Sequence, residues 1–151
     1  MKTNEDAALL GEIKKAAEMA RRTLPYLIRK TDDENLKSEM NRLLGEYEAI
    51  SGEAEQVAEG LNMDISKVPG LSAFGGMTTE GMVRMNTLAD ASDAHIADMT
   101  LTGGAMGVKT IAEAVRRYPN ASAEVKGLAE RLRSLNDKSI RVVQPFLDRV
   151  E

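Results

Sequence analysis

Two apolar seams at helical spacing constrain the fold of this chain more than any other feature. The first follows steps of three and four residues through Leu36, Met40, Leu43, Tyr47, Ile50, Ala54, Val57 and Leu61. The second closes the chain and comprises Val125, Leu128, Leu132, Leu135, Ser139, Val143, Phe146 and Val150. Narrow stripes of this kind are typical of helices that pack side by side in bundles. The sequence therefore predicts an all-α protein.

Cap and turn residues divide the first half of the chain into two helices. The first helix is expected between about residues 6 and 30, and Pro25 should distort its last turns. Asp32 or Asp33 is expected to cap the second helix, which ends at the glycine and asparagine of residues 60–62. Because the connection between them is so short, the two helices are expected to run antiparallel.

An irregular segment, residues 63–76, precedes the helices of the second half. Its length of about 14 residues exceeds the usual helix–helix connection and permits a crossover along the bundle, as in ferritin-like folds. The third helix is expected to begin near Met77 and to kink or break at residues 102–104. A short extra helix should follow at residues 105–118, and the last helix should run from about Ser122 to the end of the chain. The sequence thus predicts one domain, residues 1–151, folded as an antiparallel, ferritin-like four-helix bundle.

The composition argues against several classes of protein. The 151 residues can bury the core of one domain without covalent staples, and the absence of cysteine argues against disulfides, thiolate sites and iron–sulfur clusters. No apolar run approaches the length that a membrane span needs. A net charge of −4, five aromatic residues and no tryptophan disfavour a nucleic-acid partner. The expectation is a cytoplasmic protein that binds neither nucleic acid nor membrane.

The only histidine is the starting point for a metal hypothesis. Di-iron bundles need about four inward carboxylates and usually a Glu-x-x-His pair, but Ser92 stands three residues before His95 and no such pair occurs elsewhere. A single soft ion such as Cu(I) is the surviving alternative, held by imidazole and thioether groups. Its candidate ligands are His95, Asp98 and Met99. The competing interpretation is a histidine at the edge of the core that pairs with Asp98.

No other pattern points to catalysis. The chain has no Gly-x-Ser-x-Gly motif, and the glycine-rich residues 102–107 lack the Gly-Lys-Ser/Thr ending of a phosphate loop. The protein is therefore expected not to be an enzyme and to need no cofactor. Nine methionines leave open a carrier role, in which flexible thioethers shape a pocket for a small apolar ligand.

The third helix is predicted to be apolar on both sides. Ile96 and Met99 belong to its inner stripe, and a second apolar face, which includes Ala97, lies opposite. Such a helix must be covered on both faces, either by another part of this chain or by a partner. Of these two alternatives, cover by a partner gives the more specific prediction, self-association as a dimer. The candidate interaction surface comprises Val83, Ala94, Leu101, Ala105 and Val108.

Residues 92–99, with the sequence Ser-Asp-Ala-His-Ile-Ala-Asp-Met, and the Gly-Ala-Met-Gly of residues 104–107 resemble a group of small, uncharacterised bacterial proteins of ferritin-like bundle shape. The resemblance extends to the Asp32-Asp33 corner and to the Pro-Phe-Leu of residues 145–147. It implies the fold but no activity, because none is established for such proteins. The leading expectation is a non-enzymatic binding or interaction protein. A mononuclear metal protein using His95 and a small-ligand carrier remain the alternatives.

Overall fold

The computed structural model describes residues 4–63 and 92–147, and the regular structure within these ranges is entirely helical. The prediction of an all-α four-helix bundle is therefore confirmed for the described residues. None of the helices in these ranges is both long enough and apolar enough to cross a membrane. The helices are α1 (Asn4–Lys30), α2 (Glu34–Gly60), α3 (Asp93–Arg117) and α4 (Ala123–Leu147).

Helices α1 and α2 form the predicted hairpin. Helix α1 continues through Pro25 to its last residue, Lys30, and only residues 31–33 separate it from α2. Asp33, one of the two predicted candidates, is the N-cap of α2, because its side chain accepts hydrogen bonds from the backbone N–H groups of Asn35 and Leu36, at 2.8 and 3.0 Å. The tight corner makes the two helices antiparallel.

Contacts at the helix ends fix the directions of α3 and α4. Asp93, the first residue of α3, accepts hydrogen bonds from the backbone N–H groups of Asp32 and Asp33, at 3.0 and 3.1 Å. At the opposite end of the bundle, Asp6 accepts a hydrogen bond of 2.5 Å from the backbone N–H of Ser122, just before α4. Helix α3 therefore starts where α1 ends and runs parallel to α2, and α4 returns alongside α2 and α3. The helix directions are up, down, down and up.

This order of directions constrains the connection between α2 and α3. Helix α2 ends at one end of the bundle and Ser92 lies at the other, which is the arrangement that the predicted crossover requires. The predicted irregular segment lies outside the described residues except for Met63, and so does the predicted helix start at Met77.

Both apolar seams face the core as predicted. The α2 seam is buried from Leu36 to Ala54 and half-buried at Val57 and Leu61, whereas Val150 of the α4 seam lies outside the described residues. The buried positions of the α4 seam are Val125, Leu128, Leu132, Leu135, Ser139, Val143 and Phe146.

Helix α3 departs from the sequence prediction in three ways. The predicted break at residues 102–104 is wrong, because the helix runs without interruption from Asp93 to Arg117 and the expected extra helix is simply its second half. Ser92, expected inside a helix, is instead an extended N-cap whose hydroxyl accepts a hydrogen bond from the backbone N–H of His95. Ala97, expected on the outer face, is completely buried.

Candidate functional site

The predicted metal ligands lie in the first two turns of α3 without forming a polar cluster. His95 and Met99 are half-buried, Asp98 is exposed, and Met99 packs against the core. Within the described ranges, no three His, Cys, Asp or Glu side chains are arranged to hold a metal ion, and no ion pair joins His95 to Asp98. The soft-metal site therefore stays a prediction from the sequence, supported only by the one-turn spacing of His95 and Met99.

A buried lysine between α1 and α2 is the first polar feature that the sequence interpretation missed. Lys14 is 4% exposed, and its Nζ lies 2.6 Å from Ser51 Oγ, 2.6 Å from Glu55 Oε1 and 3.4 Å from Glu18 Oε1. The sequence feature that could have predicted this burial is the position of Lys14 between Ile13 and Ala17 on the apolar stripe of α1.

The contacts of Lys14 are those of a structural ion pair. Its Nζ lies between the carboxylates of Glu18 and Glu55 and beside the hydroxyl of Ser51. The hydrogen bond from Lys14 in turn lowers the pKa of Glu55 below its ordinary value. Ser51 is itself buried, so the group is an ion pair that joins α1 to α2.

A second buried polar cluster joins α2 to α4 near the middle of the bundle. Tyr47 Oη donates to Asn136 Oδ1 at 2.6 Å, and Ser139 Oγ donates to the Asn136 carbonyl oxygen at 2.6 Å. Burial raises the pKa of Tyr47 to about 12, so its hydroxyl stays protonated at neutral pH. Asn136 Nδ2 is buried and has no hydrogen-bond partner among the described residues.

Helix α3 packs against this cluster through two glycines. A Cβ atom on Gly104 would lie 2.5 Å from Ser139 Oγ, and a Cβ atom on Gly107 would lie 2.6 Å from Asn136 Nδ2. The close approach fills the space beside the amide with backbone. The cluster therefore connects α2, α3 and α4 near the middle of the bundle.

A groove of about 400 Å³ lies between α2 and α4 on the surface. Ion pairs cross it, from Lys138 to Glu46 at 3.0 Å and from Arg131 to Glu53 at 2.6 Å. Its charges are paired and it contains no methionine, so it lacks the lining predicted for a carrier of apolar ligands.

The predicted interaction surface is only partly outward. Ala105 is exposed, whereas Ala94, Leu101 and Val108 are half-buried, and Val83 lies outside the described residues. The burial pattern shows that the face of α3 most remote from the core is rotated about the helix axis from the predicted face, toward Asp98 and Lys109.

We define the α3 outer stripe as the exposed residues Asp98, Thr102, Ala105, Met106 and Lys109. All except Met106 follow one another at steps of four, three and four, which places them on one line along the helix. Met106 is 64% exposed and is the most exposed large apolar side chain of the described residues. Neither Asp98 nor Lys109 has an ion-pair or hydrogen-bond partner within those residues. Within the described residues, the stripe thus combines one exposed apolar side chain, Met106, with two charges that have no partner.

Comparison with protein-family models, curated proteins and solved structures gave no match to this chain.

Proposed function

We propose that this protein is a non-enzymatic interaction protein that binds another protein surface through the α3 outer stripe. The observation that carries the proposal is the 64% exposure of Met106 on one flank of a stripe with no charged residue between Asp98 and Lys109. Exposed apolar surface with a polar border is typical of protein–protein contacts. Self-association as a dimer, expected from the sequence, is one form of this binding.

The order of the helices supports a second part of the proposal, a ferritin-like topology. Ferritin-like bundles use one long crossover between two hairpins, and the up, down, down, up order has the same consequence. A ferritin-like shape carries no oxidase chemistry by itself, because function depends on the site and not on the fold. The cytoplasmic location and the alternative soft-metal role of His95 stay predictions from the sequence.

Methionine oxidation offers a direct test of the proposed surface. Met106 on α3 and Met19 on α1 are the two exposed large apolar side chains of the described residues, at 64% and 40%, so Met19 is an internal control. Dilute purified protein and cells that express it are treated briefly with peroxide, and the sulfoxide at each position is quantified by mass spectrometry. We expect Met106 to react readily in the dilute protein and to be protected relative to Met19 in cells. An unchanged ratio of the two would refute the proposal.

A further inference from the structure

Building on the proposed function, we propose that the partner of the α3 outer stripe is a second copy of this chain, docked antiparallel about a two-fold axis. The axis passes at the level between Gly103 and Gly104, so that Asp98 faces Lys109 of the partner subunit and Lys109 faces the partner subunit's Asp98. The inference depends on the proposed function for the location of the surface, and it adds the identity and orientation of the partner.

The positions of the two charges carry the argument. Asp98 and Lys109 are separated by about three helical turns, so both point outward from the same line of α3. Both are exposed and lack an ion-pair partner among the described residues. A two-fold rotation about the stated axis places Asp98 of one copy at the same height along the helix as Lys109 of the other copy. Each end of the contact then contains one negative and one positive charge.

The residues between the two charges suit a close helix–helix contact. Residues 99–108 contain no charged side chain, and the stripe carries only Thr102 and Ala105 on its central line. Small side chains let two helix axes approach closely. On the two flanks of that line lie Leu101, which is half-buried, and Met106, which is exposed. In the antiparallel pair, the two Leu101 side chains close one side of the contact and the two Met106 side chains close the other.

The charge pattern favours a second copy over a chemically different partner. A two-fold contact uses the same patch on both subunits, so the patch must be complementary to itself. Antiparallel docking satisfies this condition at both ends, whereas parallel docking would place Asp98 against the partner's Asp98 and lysine against lysine. Like charges in register oppose association.

Charge reversal tests the pairing. Asp98→Lys places lysine opposite lysine at both ends, and Lys109→Asp places aspartate opposite aspartate. We expect either single variant to self-associate at least about tenfold more weakly in sedimentation equilibrium at low salt. The double variant Asp98→Lys/Lys109→Asp restores complementarity and is expected to recover association. A mixture of the two single variants should form heterodimers, because one copy carries only lysine and the other only aspartate at these positions.

Matched controls separate the contact from net charge and folding. Glu59→Lys and Arg22→Asp make the same charge changes at exposed positions on α2 and α1, and are expected to leave self-association unchanged. Circular dichroism verifies that each variant remains helical. If a charge variant fails to fold, cysteine pairing still tests the orientation, because the chain contains no cysteine of its own. A mixture of Thr102→Cys and Ala105→Cys proteins should form a mixed disulfide faster than either protein forms its own.

Several outcomes would overturn the inference. A protein that stays monomeric at high concentration, a double variant that does not recover, or homodisulfides that form faster than the mixed disulfide would each contradict antiparallel self-docking. If Met106 is nevertheless protected in cells, the stripe binds a different protein, and the proposed function stands without this inference. If Met106 is also unprotected, both proposals fail.

Discussion

At the scale of single residues, the two buried polar clusters show how this bundle selects one arrangement of its helices. An unpaired buried amide donor costs about 1–3 kcal/mol, so Asn136 Nδ2, which has no partner among the described residues, opposes folding. The hydrogen bond from Tyr47 to the same side chain and the close packing of Gly107 offset that cost. A shifted alignment of α2 against α4 would lose the bond from Tyr47 and leave two buried polar groups unpaired. The cluster therefore disfavours slipped packings of two otherwise similar apolar seams.

The raised pKa of Tyr47 predicts a specific loss of stability in alkali. Tyrosine ionises near pH 10 in the unfolded chain but near 12 in the folded protein, so the unfolded state loses its proton first as the pH rises. The free energy of unfolding should therefore fall between about pH 10 and 12, by roughly 2–3 kcal/mol more in the native protein than in Tyr47→Phe. At neutral pH the Phe variant should instead be less stable by about 1–2 kcal/mol, because a buried hydrogen bond is lost.

Urea denaturation of both proteins across this pH range measures the difference. Tyr26 and Tyr118 are present in both, so their ionisation cancels in the comparison. If the free energy of unfolding depends on pH in the same way in both proteins, Tyr47 ionises at the same pH in the folded and unfolded states. That result would contradict the effect of its burial.

Lys14 predicts a contrast between two substitutions. Lys14→Met keeps the length of the buried stem and removes the charge, whereas Lys14→Ala also leaves a cavity between α1 and α2. We expect the alanine variant to lose about 2–4 kcal/mol of unfolding free energy and the methionine variant distinctly less. In both variants the pKa of Glu55 should rise toward its ordinary value, because the hydrogen bond from Lys14 is the main cause of its depression.

Carboxyl-carbon NMR titration follows Glu55 directly. Ser51→Ala is the control, since it removes a neutral partner of Lys14 and leaves the contact with Glu55 in place. A Glu55 pKa that stays depressed after removal of Lys14 would mean that another group holds it.

At the scale of whole helices, α3 shows where local sequence patterns stop being informative. The seams of α2 and α4 and the Asp33 cap were predictable because each depends on spacing or on the nearest few residues. The glycines of α3 were expected to break it, yet Gly104 is buried against Asn136 and Ser139 of α4. A glycine that permits close helix packing and a glycine that ends a helix look alike until the neighbouring helix is known. The same limit hid Lys14, whose partners Ser51 and Glu55 are distant in sequence.

Two adjacent glycines at the centre of α3, Gly103 and Gly104, form a matched pair for testing this explanation. A methyl group on Gly103 would meet nothing within 4 Å, whereas one on Gly104 would lie 2.5 Å from Ser139 Oγ and 3.0 Å from the Asn136 carbonyl oxygen. Gly103→Ala should therefore stabilise the protein by up to about 1 kcal/mol through helix propensity. Gly104→Ala should destabilise it by about 1–3 kcal/mol through overpacking. Thermal unfolding of both variants measures the contrast, and equal effects at the two positions would refute the close approach of α3 and α4.

At the scale of the whole molecule, the functional surface was harder to predict than the fold. The sequence identified α3 as the helix with a second apolar face, but within the described residues only Ala105 of the five predicted surface residues is exposed. The actual outward line could be found only after burial fixed the rotation of α3 about its axis. Its signal was nevertheless present in the sequence, as two opposite charges that enclose a stretch without any charge.

Two carboxylates at opposite ends of the bundle connect the hairpins to each other, and they give the last prediction. Asp6 of α1 binds the chain just before α4, and Asp93 of α3 binds the corner before α2. Each accepts backbone N–H groups that are left unpaired at a helix start, where a negative charge is also favoured by the helix dipole.

Asp6→Ala and Asp93→Ala should each lower the free energy of unfolding by about 1–3 kcal/mol, and the Asn variants by less, because asparagine keeps an acceptor oxygen. Helices of 25 to 27 residues separate the two sites by roughly 35–40 Å, so in urea denaturation the effects should add within about 0.5 kcal/mol. A strong departure from additivity would mean that the two contacts belong to one coupled network and do not fix the ends of the bundle independently.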